Sequence, residues 1–195
     1  MSERKQIVYL ARHGATAWSV SGQHTGKTDL PLLPEGEAAA KELGERLRGI
    51  KPAAVFTSPL LRAKRTCEFA GFGGGAVVDP DLVEWDYGSY EGRTSAEIRR
   101  ERPDWDLFRD GGPAGESVAQ VAARADRFVA RARAVGGDVL AFSSGHILRM
   151  IAARWLGKTE MAACLTLSTA SVSALGYEHE RPVIRLWNWV GKVEG

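Results

Sequence analysis

Cysteine is scarce in this chain of 195 residues: Cys67 and Cys164 are far apart and have no partner motif. That excludes a disulfide scaffold and points to a reducing compartment. Four histidines and two cysteines lack the spacing of a zinc site, so no metal site is expected. No stretch approaches the roughly 18 uncharged apolar residues of a membrane helix. The apolar run Ile7 to Ala11, after the polar opening Met1-Ser2-Glu3-Arg4-Lys5-Gln6, is too short for a signal-peptide core. A large excess of one charge is also missing. The formal balance of +2 gives no whole-molecule pull toward nucleic acid or membrane, so any basic site must be a local cluster. With 44% hydrophobic and 26% charged residues, the chain is composed like an ordinary globular protein. One domain is expected over residues 1–195, in the cytoplasm.

The pattern along the chain alternates strands with helices. Gln6 to Ala11 reads as a buried strand that stops at Arg12-His13-Gly14. Pro34 opens a helix running to about Gly49, with Ala38, Ala39, Leu43 and Leu47 on one face. Ala53 to Thr57 is a second strand, Pro59 to Phe69 a helix and Ala76 to Val78 a third strand. The stretch from about 80 to 115 is dense in aromatics, glycine and charge, with a weak helix over Ser95 to Arg102, and reads as an excursion lying over the sheet. Ser117 to Val135 is the strongest helix, with Ser117 as its cap. A strand over Asp138 to Phe142, a turn at Ser143-Ser144-Gly145 and a helix over Ile147 to Leu156 follow. Ser171 to Tyr177 and Val183 to Val190 alternate like a hairpin. This order predicts a three-layer α/β/α fold with a mainly parallel central sheet. Ligands of such sheets bind at the carboxyl ends of the strands. There the sequence puts Arg12-His13-Gly14, Thr57-Ser58-Pro59 with Arg62, and Ser143-Ser144-Gly145-His146.

These residue types suit phosphoryl transfer. A neutral imidazole at a strand end can attack phosphorus near pH 7, and Arg12 and Arg62 can neutralise the oxygens. An alkoxide leaves poorly without a proton, so a carboxylic acid is needed as well. Glu84, between Leu82, Val83 and Trp85, has a plausible apolar setting that would favour the protonated form. Taken singly, His13 also fits a lone surface histidine, Glu84 a solvated loop carboxylate and Arg62 a charge on a helix surface. In the last case the free N–H groups of the helix start would also favour an anion.

Several separated blocks then occur in a fixed order: Arg12-His13-Gly14, Trp18-Ser19, the run His24 to Asp29, Ser58 to Thr66, and Glu84 to Gly92. Over Tyr9 to about Leu156 the chain resembles the histidine phosphatase superfamily, the phosphoglycerate-mutase-like proteins, and within it the sedoheptulose-bisphosphatase-like branch. The resemblance implies a phosphoglycerate-mutase-like fold and a metal-independent, cofactor-free phosphatase acting on a small phosphorylated metabolite, expected to be a sugar phosphate or bisphosphate. His13 is then the residue that becomes phosphohistidine, Glu84 the acid, Arg12 and Arg62 the phosphate arginines, and Thr25 and Gly26 substrate contacts. Ser19 stands where many members have Asn, and Tyr87 lies inside a site motif. The partner is a small phosphorylated substrate, not nucleic acid or membrane; a homo-oligomer is compatible with this.

One block departs from the family pattern. Aligned on Gly145 and Arg149, Ser144 stands where the family carries a second histidine, and His146 follows two residues later. Three readings are open: Ser144 as a phosphate ligand, His146 as the substitute, or the change as inactivating. At a helix start, two residues rotate a side chain by roughly 200°. The rival readings are a mutase-type phosphotransferase and a phosphate-binding pseudoenzyme. The short chain favours hydrolysis over the mutase. A serine hydrolase using Ser143 would need Glu160 and His179 as partners. Gly71 to Ala76 only loosely imitates a dinucleotide loop, because it follows a helix and precedes a strand. Arg99, Arg100 and Arg102 read by default as a solvated helix face, or as a grip on a second phosphate.

Overall fold

The computed structural model describes residues 5–191, so the first four residues of the polar opening and the last four of the chain lie outside it. Six strands form one sheet: β1 (Val8–Arg12), β2 (Ala54–Thr57), β3 (Ala76–Val78), β4 (Val139–Ser143), β5 (Val172–Glu178) and β6 (Arg181–Trp189), in the order β3-β2-β4-β1-β5-β6. β1 to β4 pair in parallel. β5 joins β1 antiparallel, and the β5–β6 hairpin closes that side.

Alternation along the central strands supplies both layers of core. Val8, Leu10, Val139 and Ala141 face a cluster built by α6 (Val118–Ala134) and α7 (Gly145–Trp155), with Phe128, Ile151 and Trp155 fully covered. Ala11, Leu140 and Phe142 face the other way, onto Leu43 and Leu47 from and just beyond α2 (Pro34–Arg46) and Cys67 from α3 (Leu61–Phe69). β4 is buried along its whole length, which explains its unbroken apolar run. The elements follow the sequence reading to within a few residues. The exceptions include α1 (Ala17–Ser21), a single turn that the apolar pattern does not announce, and the four-residue helix Leu107–Asp110.

Between β3 and α6 the chain makes only short elements, including α4 (Ser95–Glu101) and α5 (Leu107–Asp110). An antiparallel bridge from Gln23 to Thr94 ties this stretch to the segment after α1. Two of the tryptophans have opposite settings. Trp155 is fully buried, with its indole N–H on the Gly176 carbonyl (3.1 Å), whereas Trp189 on the edge strand is 41% exposed. Gly73–Gly75 is a 3₁₀ turn ahead of β3, and Ser143 is fully buried with its hydroxyl on the Leu82 carbonyl. Neither arrangement supports a dinucleotide loop or a serine nucleophile. No described helix is long and apolar enough to cross a membrane.

Candidate active site

Parallel register aligns the ends of the central strands: Arg12 sits opposite Ser143, and Thr57 opposite Phe142. The His13 N–H continues the ladder to the Ser143 carbonyl (2.9 Å), so the imidazole leaves the sheet directly above β1. One side chain of α3 steadies the loop. Thr66 accepts from the Gly14 N–H (3.0 Å) and donates to the Arg62 carbonyl (2.7 Å). Gly14 lies against Gly36 so closely that a Cβ would come within 2.3 Å of the Gly36 carbonyl oxygen. This close approach, together with a hydrogen bond from Leu33 N–H to the Ala15 carbonyl, lets α2 start against the loop.

His13 is 4% exposed. Its Nδ1 lies 2.7 Å from the Gly14 carbonyl, which can only accept, so the proton resides on Nδ1 and Nε2 keeps its lone pair. Burial, reinforced by the charges of Arg12 and Arg62, holds this imidazole well below the usual histidine value. It is therefore neutral at pH 7.

His13 opens onto a cavity of about 230 Å³ whose walls include Arg12, Trp18, Ser19, His24, Thr25, Glu84 and His146. Arg12 gives one guanidinium N–H to the Leu167 carbonyl, while its buried Nε has no hydrogen-bond partner among the described residues. Gly145 keeps that side open, since a Cβ there would stand 3.4 Å from the Arg12 Nε and Cζ. Glu84 is buried, but its surroundings are not the apolar ones its sequence neighbours suggest. Oε1 accepts from the N–H groups of Trp85 (2.9 Å) and Ile147 (2.8 Å), and Oε2 from that of His146 (2.9 Å). The carboxyl thus fills the N-terminus of α7.

The loop that carries Glu84 is held from α6. Arg124 donates to the carbonyls of Asp81 and Val83 (2.8 Å each) and to that of Glu84 (3.4 Å). It also pairs in a fork with Glu116 (2.7 and 2.8 Å). Glu116 in turn accepts from the Asp86 N–H at 3.0 Å. Nothing in the sequence pattern singles this pair out.

Arg62 is fully buried rather than a surface charge, and its donors face the 25–28 loop. They go to the carbonyls of Thr28 (3.0 Å), Thr25 (3.0 Å) and Gly26 (2.9 Å), and to Ser144 Oγ (3.3 Å). Four of its five N–H groups are therefore committed, and it is not a wall of the cavity. The start of α3 is likewise not free for an anion, because Asp29 accepts from the Leu61 N–H at 2.7 Å. The Gly26 N–H points to Glu91 (2.9 Å). Ser19 forms a reciprocal cap with Thr16 at α1, and its hydroxyl lies on the Thr16 carbonyl (2.9 Å). Ser144 is 1% exposed and turned toward Arg62, whereas His146 reaches the cavity wall. Tyr87 does not line the cavity. It is buried as a brace whose hydroxyl shares a 2.6 Å hydrogen bond with His146 Nδ1, and burial, with Glu84 nearby, raises its phenol well above the usual value. Burial, then Arg149, holds His146 well below the usual histidine range.

Sequence reasoning missed His24 and Ser95 as cavity walls. They are 71 residues apart and meet at 3.2 Å through His24 Nε2 and Ser95 Oγ. Burial and Arg99 push His24 down to about 4. Among the described residues, no group of three or more His, Cys, Asp or Glu side chains could hold a metal ion.

A strand-end imidazole kept neutral beside an arginine with an unused donor defines an α/β enzyme built to handle a small anion. The chain belongs to the histidine phosphatase superfamily (branch 1), whose sequence profile matches residues 8–190. It is 41% identical over 184 residues to an acid phosphatase of Mycobacterium tuberculosis, with 92% of this chain and 90% of the relative covered. It is 37% identical over 191 residues to sedoheptulose 1,7-bisphosphatase of Saccharomyces cerevisiae, with 81% and 70% covered. The solved structure of an open reading frame product of Mycobacterium tuberculosis superposes with a TM-score of 0.91 at 39% identity, covering 95% of this chain and 98% of that one. By family and relatives the chain is an enzyme of the phosphatase class, and its fold is the family's.

Proposed function

We propose that the protein hydrolyses a small sugar phosphate through a phosphohistidine at His13. The observation that carries this is the fixed tautomer: the Gly14 carbonyl holds the Nδ1 proton, which leaves Nε2 unprotonated on the cavity wall beside the unpartnered Nε of Arg12. In the first step Nε2 attacks phosphorus in line. The N–P bond forms as the ester O–P bond breaks, and a proton from Glu84 goes to the departing alkoxide oxygen. Oε2 of Glu84, with one N–H donor against two on Oε1, has the lone pair to carry that proton. Water then attacks phosphorus, Glu84 takes its proton, the N–P bond breaks and its electron pair returns to Nε2.

Arg12 meets the phosphoryl oxygens directly. Arg62 adds positive potential from behind the loop it clamps, and Ser144 supports Arg62. His146 stands at the wall in place of the family's second histidine. Thr25, Gly26 and Ser19 shape the entrance, and Gly145 leaves room above Arg12. The partner is the small phosphorylated substrate. The setting is the cytoplasm, supported by two unpaired thiols, Cys67 and Cys164.

The test is phosphate release from a panel of sugar phosphates by wild type and His13→Ala. Release at least 1000-fold slower in a folded His13→Ala supports the reading. Equal release would sink it, and no release from any substrate by wild type would point to phosphate binding without turnover.

A further inference from the structure

Two histidines of the catalytic cavity hold opposite tautomers. His13 carries its proton on Nδ1. His146, the second residue of α7, has its Nδ1 2.6 Å from the Tyr87 hydroxyl. Tyr87 is 1% exposed, and among the described residues His146 Nδ1 is the one hydrogen-bond partner of its phenol oxygen. Burial keeps that phenol protonated. Were Nδ1 to donate to the phenol oxygen, the buried O–H would have no acceptor. Tyr87 therefore donates to Nδ1. Glu84 Oε2, at 3.9 Å from Nδ1, is beyond hydrogen-bond reach and does not compete. His146 is neutral at pH 7, so its single ring proton is on Nε2. Nε2 has no partner among the described residues, and the ring borders the same cavity as His13, Arg12 and Glu84.

Much of the remaining donor set is engaged. The hydroxyls of Ser19 and Thr25 donate to the carbonyls of Thr16 (2.9 Å) and Gln23 (3.3 Å), and the Gln23 amide to that of Gly92 (2.7 Å). Arg62 is committed to the 25–28 loop, and Ser144 faces Arg62. A phosphoryl group in transfer spreads its charge over three oxygens, which only accept. The planar fork of Arg12 reaches two of them.

Resting on the phosphatase reading, we propose that His146 is a catalytic residue whose Nε2–H donates to the remaining phosphoryl oxygen in the transition state, and that Tyr87 is the positioning residue that fixes this tautomer. The two imidazoles then divide the work: His13 offers a lone pair to phosphorus, and His146 offers an N–H to the charge that develops on oxygen. The proton stays on Nε2 throughout.

The whole enzyme is tested, first by ¹⁵N NMR at pH 7. His146 should show a protonated Nε2 and a bare Nδ1 in wild type, and Tyr87→Phe should release it into a mixture of both tautomers. His146→Leu should lower kcat about 30-fold or more, equally on fructose 6-phosphate and 4-nitrophenyl phosphate, which share the phosphoryl group and differ in the leaving group. His146→Gln, which keeps an N–H donor, should recover at least fivefold of that loss. Calorimetric binding of orthovanadate, a mimic of five-coordinate phosphorus, should weaken at least tenfold in His146→Leu. A proton on Nδ1 of wild-type His146, a loss confined to fructose 6-phosphate, or kcat and vanadate binding within threefold of wild type in His146→Leu overturns the proposal and leaves the phosphatase reading standing. If His146→Leu does not fold, the wild-type tautomer and the kcat of Tyr87→Phe, expected to fall at least threefold on both substrates, decide. Absence of turnover by wild type strikes the phosphatase reading, and the tautomer and vanadate binding still decide the role of His146.

Discussion

At the scale of single residues, the chemistry depends on an imidazole that is already neutral before substrate arrives. Burial with two neighbouring guanidinium groups lowers the His13 value, so protonation, which removes the nucleophile, occurs only below the ordinary histidine range. In ¹⁵N-labelled free enzyme, His13 should remain neutral, with its proton on Nδ1, at pH 6. A midpoint at or above 6.5 would contradict this. Ser144 is a residue whose importance the structure reduces. Its hydroxyl lies 3.3 Å from Arg62 Nε and does not reach the cavity wall, so Ser144→Ala should cost less than about threefold in kcat/KM. A loss above 100-fold would make the hydroxyl a direct phosphate ligand. The sequence made His13 and Arg12 visible because they stand at the end of the first strand, and Glu84 visible through the Glu84 to Gly92 block that carries the family resemblance. What Arg62 does was not visible. Its partners are main-chain carbonyls 34 to 37 residues away, and carbonyls carry no sequence signature.

At the scale of elements, two helix starts divide the labour. α7 receives Glu84 on the N–H groups of its first turn, and α3 receives Asp29. The Glu84 loop is fixed on its other side by Arg124 of α6, which holds three of its carbonyls. Arg124 does not itself line the cavity, so its effect on the reaction must pass through the Glu84 loop that it holds. Arg124→Met should lower kcat at least tenfold for alkyl phosphates, which need a proton on the leaving oxygen, and much less for 4-nitrophenyl phosphate, which does not. Equal losses on both would mean a general loss of structure instead. The long elements were legible because apolar periodicity over a dozen residues is a strong signal, as in α6 with Phe128 and Val129 on its buried face. α1 was not, because five residues held by a Thr16–Ser19 cap have no room for a periodic stripe.

At the scale of the whole molecule, the site is assembled from strand ends far apart in sequence, and the 80–115 excursion closes it. His24 and Ser95 escaped a linear reading because the Gln23–Thr94 bridge, not their own neighbours, brings them together. This assembly holds three histidines in neutral form, His13 and His24 buried and His146 half-buried, so it should weaken in acid. His24 shows the sign. Its folded value of about 4 lies below the unfolded value of about 6.5, so between those values the unfolded chain binds more protons. Its contribution is complete above pH 6.5 and is lost progressively as pH falls toward 4, by up to about 3 kcal/mol. Urea midpoints should therefore fall from pH 7 to pH 4.5, and the fall should be shallower in His24→Gln. An equally steep fall in that variant would assign the acid sensitivity elsewhere.

The account's central claim is that phosphate passes through His13. Rapid quenching during turnover of a ³²P-labelled sugar phosphate, followed by peptide mapping, tests it most directly. The prediction is a label on the peptide containing His13 that is stable in alkali and labile in acid, forms no slower than product and is absent in His13→Ala. A turning-over enzyme that never carries this label, or carries it on another residue, would contradict the account.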